Sequence, residues 1–163
     1  MTELISIVAK SENNIIADKN GIPWNYPDDK KQYKSRIHGQ PLVAGRKTYE
    51  TMLQYEKELL TKSNIAVLTT DESYVTPIKN HSAKNSKQQA INWISNQKSA
   101  VYNIGGGDIY SLLLDETDTL IISEIPQVVS GTVKFPTINY NNWNVVSIED
   151  FGSFEVYTYN RTN

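Results

Sequence analysis

Short apolar runs alternate with segments of helical periodicity along this chain of 163 residues. Apolar runs rich in β-branched residues, such as LISIVA and TLIISEI, are typical of buried strands. They predict strands at 4–9, 42–45, 64–69, 100–104 and 119–125. Apolar positions at helical spacing between these runs predict helices at 27–38, 46–54, 86–96 and 108–114.

The C-terminal part of the chain contains two runs of alternating apolar and polar residues, at 144–148 and 154–159, on either side of Gly152. This pattern predicts a β-hairpin. Strands separated by helices favour an α/β fold with a mostly parallel, twisted central sheet and helices on both faces. The hairpin adds an antiparallel pair at the edge, and we expect one domain over residues 1–163.

A polar stretch at 11–26 lies between the first predicted strand and the first predicted helix, and it contains Asn13, Asn14, Gly21 and Pro23. These residues predict a long loop. Loops of this length are uncommon inside a compact domain, and most of them carry function. We therefore expect a functional loop here.

Composition excludes several classes of protein. A net charge of −2 argues against a general nucleic-acid-binding protein, and no segment approaches the ~20 apolar residues that span a bilayer. The absence of cysteine excludes disulfides and thiolate catalysis, and two histidines make a histidine-rich metal site a poor hypothesis. We expect a soluble, cytoplasmic protein with no metal.

Two predicted strands each end in glycine followed by the start of a helix. Gly45 precedes Arg46, Lys47 and Thr48, and the second site is the run 105–108, Gly-Gly-Gly-Asp. A helix N-terminus favours phosphate, and glycine lets a ligand approach the backbone. Two such strand ends in one sheet favour a dinucleotide along its carboxyl edge. The alternative is that each glycine only closes a tight turn.

The predicted first helix carries a carboxylate on its apolar side. Pro27 suits the first turn, and Asp29, Tyr33 and Ile37 then share one face at spacings of four residues. A carboxylate facing a core costs free energy unless it is hydrogen-bonded, so Asp29 is a functional candidate. The alternative is that Asp29 caps its own helix.

Taken together, the segments SIVAKSENNIIADKNGIPW, GRKTYE, IGGGDIY, KFP and FEVY resemble a dihydrofolate reductase nearly end to end. The resemblance implies that NADPH reduces 7,8-dihydrofolate to tetrahydrofolate, which supplies one-carbon metabolism. A hydride reaches C6 of the pterin and a proton reaches N5. We expect water to be the immediate proton donor, with Asp29 orienting and polarising the pterin.

The resemblance also implies roles for individual residues. Asp29 would accept hydrogen bonds from the pterin, with Trp24 and Ser123 as its catalytic partners. The expected substrate contacts are Ala9, Asp29, Tyr33, Met52, Leu59, Lys62 and Ile104. The expected NADPH contacts are Ala9, Ile16, Asn20, Gly45, Arg46, Lys47, Thr48, Leu68, Thr69, Thr70, Lys84, Gly105, Gly106, Gly107, Asp108, Ile109 and Tyr110.

The chain departs from the family pattern in three places. The stretch YEKELLTKSN lacks the arginine that pairs with the glutamate tail of folate, which leaves Lys62 or Lys57 as the cation. Residues 11–26 match the mobile lid, but Ile16-Ala17 replaces Ile-Gly. Finally, the run 131–133 lacks an aspartate that steadies this lid.

Two other functions are alternatives. One is a reductase of the same fold that acts on a ribosylated pyrimidine in riboflavin synthesis, and Trp24 with Asp29 argues against it. The other is a non-catalytic NADPH-binding relative. We expect a monomer whose partners are the small-molecule substrate and antifolate inhibitors, without nucleic acid or membrane.

Overall fold

An eight-stranded sheet organises the structure, a computed structural model that describes residues 2–162. The strands are β1 (Leu4–Ser11), β2 (Ile15–Ala17), β3 (Leu42–Gly45), β4 (Ile65–Leu68), β5 (His81–Lys84), β6 (Val101–Asn103), β7 (Thr119–Ile125), β8 (Val133–Lys134), β9 (Trp143–Asp150) and β10 (Glu155–Arg161). The main sheet has the order β5-β4-β3-β6-β1-β7-β10-β9, and β2 pairs with β8 separately. Pairings are parallel from β5 to β7, whereas β10 runs antiparallel to β7 and β9.

The α-helices connect the parallel strands. They are α1 (Pro27–Ile37), α2 (Arg46–Tyr55), α3 (Lys57–Thr61), α4 (Lys87–Ser95) and α5 (Gly107–Leu113). Proline occupies the first turn of α1, where its missing N–H costs nothing. Ser86 caps α4, because its side chain accepts a hydrogen bond from the backbone of Gln89 at 3.1 Å. No helix within residues 2–162 is long and apolar enough to cross a membrane.

Alternating strand residues pack on opposite faces of the sheet. On one face, residues such as Ile7, Ala44 and Ile121 pack with Ile37 of α1 and Tyr49 of α2. On the other face, Leu4, Val43 and Ala66 pack with Ala90 of α4 and Leu113 of α5. The predicted α/β fold, with a mostly parallel sheet, helices on both faces and a C-terminal hairpin, is confirmed.

The structure corrects the prediction of one continuous loop at 11–26. Strand β1 extends to Ser11. Ile15 of β2 pairs with Lys134 of β8, and the side chains of Ile15 and Ile16 are buried. Three residues are too few to show strand periodicity. Strand β5 and helix α3 were also not predicted, since β5 reads HSAK and α3 spans only five residues.

His81 of β5 has a structural role that the sequence analysis did not assign. It is buried, its Nδ1 lies 2.6 Å from the Tyr49 hydroxyl, and its Nε2 lies 2.9 Å from the Leu60 carbonyl and 3.2 Å from that of Ser63. Because carbonyls only accept, Nε2 carries the proton and Nδ1 accepts from Tyr49. The imidazole therefore ties β5 to α2 and α3 in its neutral form.

Acidification is expected to destabilise the fold through His81. Burial lowers the pKa of His81, against the opposing effect of the Leu60 and Ser63 carbonyls. The unfolded chain therefore takes up the proton first, and stability falls as the pH drops below the usual value of about 6.5. The thermal midpoint of His81→Gln is expected to change less than that of the wild type between about pH 7.5 and pH 5. His38→Gln is the matched control, because it removes an exposed histidine, and its thermal midpoint is expected to change with pH as in the wild type. Equal changes of the thermal midpoint in all three proteins would contradict this role of His81.

Candidate active site

The carboxyl ends of the parallel strands bring the candidate residues to one edge of the sheet. Ala9 of β1 pairs with Ser123 of β7, and β3 ends at Gly45 beside the glycine run that follows β6. Asp29 lies in the first turn of α1 and hydrogen-bonds to Ser123. The carboxylate and the two glycine turns therefore share an edge, as open α/β sheets arrange their ligand sites.

The two glycine turns contact each other through their backbones. Gly45 N donates to Gly105 O at 2.7 Å, and Gly105 N donates to the Asn103 side chain at 3.0 Å. A Cβ at position 45 would lie 2.9 Å from Cγ1 of Ile109. The Gly105–Gly106 peptide bond is cis. Side chains are thus excluded where the turns meet, and the backbone forms the surface there.

Tyr110 supports the second glycine turn from below. Its hydroxyl donates to the Ile7 carbonyl at 2.6 Å, and its ring lies against Gly105. Burial raises the pKa of Tyr110 well above its usual value. The phenol is therefore neutral, and its expected contact with a cofactor stays a prediction.

The N-terminus of α2 has the local chemistry that attracts anions. Its N-cap is Gly45, no side chain caps it, and its first turn holds no acidic residue. Unpaired N–H groups and the partial positive charge there attract anions. Arg46 and Lys47 add positive charge, and Thr48 lies beside Gly106, whose added Cβ would be 3.5 Å from Thr48 Oγ1.

Arg46 is already held by acidic and aromatic neighbours. Its guanidinium lies 3.1 Å from Asp71, 3.3 Å from Glu50 and 4.2 Å from the ring centre of Tyr74. Hydrogen bonds from Ser73 lower the pKa of Asp71 against the opposing effect of burial, and Arg46 lowers it further. Asp71 is therefore a carboxylate at neutral pH, and an anion that binds Arg46 has to compete with it.

Asp29 is a buried carboxylate with one oxygen engaged and one open. It is 8% exposed, and its Oδ1 accepts from Ser123 Oγ at 2.5 Å and from Gln32 Nε2 at 2.9 Å. Within residues 2–162, Oδ2 has no partner, and the only fully buried side-chain polar atom without one is Ser63 Oγ. Oδ2 therefore reaches solvent. No side chain caps α1, so the structure does not support the helix-capping alternative for Asp29.

The expected apolar and aromatic substrate contacts belong to the core on the face of the sheet that α1 and α2 cover. Trp24 and Ile104 are buried in the same core cluster, against which Ala9, Tyr33, Met52 and Leu59 also pack. Burial, and then the charges of Asp29 and Glu56, raise the pKa of Tyr33, so its phenol stays neutral. Lys62 is exposed, whereas Lys34 of α1 pairs with Glu56, at the start of α3, at 2.6 Å.

The other predicted cofactor contacts lie on several elements. Thr69 N donates to Lys84 O at 3.0 Å, which places Thr69, just beyond the end of β4, beside the last residue of β5. Ile16 is buried on β2, and Asn20 lies in an exposed turn where its N–H donates to Asp18 Oδ1 at 2.7 Å. The remaining positions are buried Leu68, exposed Thr70 and Asp108, and partly buried Gly107. Their contact with a cofactor stays a prediction.

Residues 11–26, the segment that resembles a lid, contact residues 131–132 through Ala17. Thr132 N donates to Ala17 O at 3.1 Å, and a Cβ on Gly131 would lie 2.8 Å from that oxygen. Backbone contacts therefore hold the segment where the family pattern has an aspartate.

Sequence analysis missed several polar residues at the site. Gln32 and Arg36 follow Asp29 at i+3 and i+7 on α1, a spacing that could have revealed a shared side. Nothing local identified Asp71 and Tyr74 as neighbours of Arg46, because the contacts join α2 to the loop after β4. No group of three or more His, Asp or Glu residues in the described part of the chain could hold a metal ion.

Comparisons with known proteins show which family the chain is similar to. The family model described as dihydrofolate reductase matches residues 3–162. Dihydrofolate reductase type 1 of Escherichia coli is 33% identical over 157 residues, which are 96% of each chain. Dihydrofolate reductase 1 of Haloarcula marismortui is 28% identical over 173 aligned positions, covering 99% of this chain and 93% of the relative.

A solved structure shares the fold. Dihydrofolate reductase from Enterococcus faecalis, complexed with NADP(H) and RAB-propyl, superposes with a TM-score of 0.85 at 24% identity. The match covers 99% of this chain and 97% of the other. These findings confirm the resemblance that the sequence motifs predicted.

Two alanine substitutions in the glycine run are expected to differ in their effect on stability, because the first position is packed and the second is open. Gly105→Ala is expected to lower the free energy of unfolding by about 2–3 kcal/mol. Its φ of +92° disfavours a side chain, and the new Cβ would lie 2.6 Å from the Tyr110 ring. Gly106→Ala, with only Thr48 near its Cβ, is the control and is expected to change stability by less than about 0.5 kcal/mol. Urea unfolding measures both; equal stability of the two variants would contradict the packing described.

Proposed function

Because the chain belongs to the dihydrofolate reductase family, we propose that it catalyses the NADPH-dependent reduction of 7,8-dihydrofolate to 5,6,7,8-tetrahydrofolate. A hydride adds to C6, a proton adds to N5, and NADP⁺ leaves. The observation that carries the proposal is the Asp29 carboxylate, buried with Oδ1 engaged and Oδ2 open, on the sheet edge that holds both glycine turns.

The substrate end of the site suits a flat ring with hydrogen-bond donors. Oδ2 of Asp29 can accept from the ring N–H and the 2-amino group of a pterin, and charge-assisted bonds of this kind are strong. Trp24, Tyr33 and Met52 provide apolar surface for the ring. A substrate without these donors would leave the carboxylate unpaired in an apolar site, which is costly.

The residues at the other end of the edge fit NADPH. The uncapped N-terminus of α2 and the open space at Gly106 suit a pyrophosphate. Arg46, Thr69 and Thr70 are the proposed contacts of the 2′-phosphate. When bound, NADPH supplies the hydride. The chain's part is to bind the two molecules side by side along one sheet edge.

Water is the proposed immediate donor of the N5 proton, with Asp29 orienting and polarising the pterin. Tyr33 is a poor acid here, because burial and the charges of Asp29 and Glu56 raise its pKa. A water molecule reached through the open side of the site meets the requirement for a mobile proton.

The reductase of a ribosylated pyrimidine and the non-catalytic relative are not favoured, since the chain belongs to the dihydrofolate reductase family and its Asp29 suits a pterin. Our proposal includes one domain, a monomer, a cytoplasmic location and inhibition by antifolates. Lys62 or Lys57 is proposed to meet the glutamate tail.

The direct test is consumption of NADPH by the purified protein with dihydrofolate, with and without methotrexate. Methotrexate-sensitive consumption is the expected result. Binding of NADPH without its consumption would support the non-catalytic relative. NADPH consumption that methotrexate does not inhibit would contradict the proposed pterin site.

Removing the charge of Asp29 is expected to lower turnover about 100-fold at neutral pH. Asn keeps the shape and one acceptor oxygen but presents a neutral amide to the pterin. Steady-state NADPH oxidation by Asp29→Asn measures the effect. Asp28→Asn is the matched control, because Asp28 is an exposed neighbour in the same helical turn. Turnover of Asp29→Asn at the wild-type rate would refute the role.

Neutralising Asp71 is expected to improve the use of NADPH. Asp71 competes for Arg46 and repels a phosphate, and since the ion pair is exposed we expect a gain of only about two- to fivefold in kcat/KM for NADPH. Asn retains the acceptor for Ser73. NADH, which lacks the 2′-phosphate, is expected to show no gain, and neither is Glu72→Gln, an exposed neighbour. A gain shared by NADPH and NADH would contradict the explanation.

A further inference from the structure

We propose that Gln32 is a positioning residue that fixes the Asp29 carboxylate, and that Arg36, held by Glu149, sets the orientation of the Gln32 amide. This inference rests on the proposed function. It concerns three residues that neither the family resemblance nor the predicted site contains. The geometry that carries it is a continuous chain of hydrogen bonds from the edge strand β9 to Asp29.

Each contact in the chain is short and specific. Gln32 Nε2 lies 2.9 Å from Asp29 Oδ1 and 3.2 Å from Ser123 Oγ, so one amide group donates to both members of that pair. On its other side, Gln32 Oε1 accepts from Arg36 Nε at 2.5 Å. The second nitrogen of Arg36 forms an ion pair with Glu149.

The guanidinium determines which way the amide points. Arg36 can only donate, so the Gln32 atom that faces it must be the oxygen. Nε2 is therefore turned toward Asp29. The opposite orientation would place Oε1 against a carboxylate oxygen, two acceptors without a proton between them, and would leave Arg36 facing an NH₂ group.

The sheet register places both ends of the chain of contacts in one row. Ser123 of β7 pairs with Val156 of β10, and Val156 pairs with Glu149 of β9. Helix α1 presents Asp29, Gln32 and Arg36 at i, i+3 and i+7 along this row. Because each strand adds ~4.8 Å, a helix side of about two turns can span from Ser123 to Glu149.

The consequence is a carboxylate with a fixed plane. Two donors hold Oδ1, from Ser123 and Gln32, and Oδ2 remains for the substrate. Without Gln32, Ser123 alone would hold Oδ1, and the carboxylate could turn about its Cβ–Cγ bond. Small misplacements of a binding group lower rates strongly. The effect belongs to the pterin end, so binding of NADPH should not change.

The experiment compares Gln32→Met, Arg36→Met and Arg36→Lys in steady-state turnover with dihydrofolate and NADPH. Gln32→Met, similar in length but without the amide, is expected to lower kcat/KM for dihydrofolate about tenfold while KM for NADPH stays unchanged. Arg36→Met frees the amide to flip and is expected to lower it about threefold. Arg36→Lys retains a donor toward Gln32 Oε1 and is expected to restore most of this loss.

Gln88→Met is the matched control, because Gln88 lies on the exposed side of α4 and hydrogen-bonds only to Asn92 among the described residues. Thermal midpoints of all variants are measured in parallel. An unchanged kcat/KM in Gln32→Met overturns the inference, and so does a loss that raises KM for NADPH equally. If Gln32→Met does not fold, equal activity of Arg36→Met and Arg36→Lys overturns it instead.

A second readout separates this inference from the proposed function. Methotrexate binding, followed by quenching of tryptophan fluorescence, needs no turnover. An inactive wild-type protein would refute the proposed function alone. In that case an affinity about tenfold weaker in Gln32→Met still supports the positioning role, and an unchanged affinity overturns it.

Discussion

The burial of the Asp29 carboxylate is the constraint on which the rest of the site depends. A charge taken out of water costs several kcal/mol unless hydrogen bonds replace its hydration. Here Ser123 and Gln32 supply those bonds, which hold α1 against β7. The same bonds explain why a polar side chain, Ser123, is buried within the sheet. Only one oxygen is satisfied in this way. The other is available to a ligand that donates hydrogen bonds.

The parallel sheet brings the Asp29 carboxylate and the two glycine turns to the same edge, so that they form the two parts of one candidate site. Strands that run in the same direction end at the same edge, so the carboxylate beside β7 and the glycine turns after β3 and β6 lie along one line. Glycine permits the backbones of Gly45 and Gly105 to touch, and Tyr110 fills the space beneath them. The sheet itself sets their separation.

Sequence reasoning recovered the elements with strong local signals. The run Thr119–Ile125 was predicted with its observed bounds, and the spacing of Asp29, Tyr33 and Ile37 identified the buried side of α1. Strand β5 was not predicted, because its sequence HSAK has no apolar pattern typical of a strand. Its position follows from the burial of His81 against Tyr49, which only the structure shows. Gln32 escaped for a related reason. The i+3 spacing from Asp29 indicates a shared side of α1, but the orientation of the Gln32 amide depends on Arg36 and on Glu149, which lies far away in sequence.

The most direct test of the account is a crystal structure of the protein with folate and NADP⁺ bound. The account predicts that Asp29 Oδ2 accepts from the pterin while Oδ1 keeps its bonds to Ser123 and Gln32. It also predicts that the pyrophosphate lies on the edge formed by Gly45 and Gly106. A pterin bound away from Asp29, or one that displaces Ser123 and Gln32 from Oδ1, would contradict it.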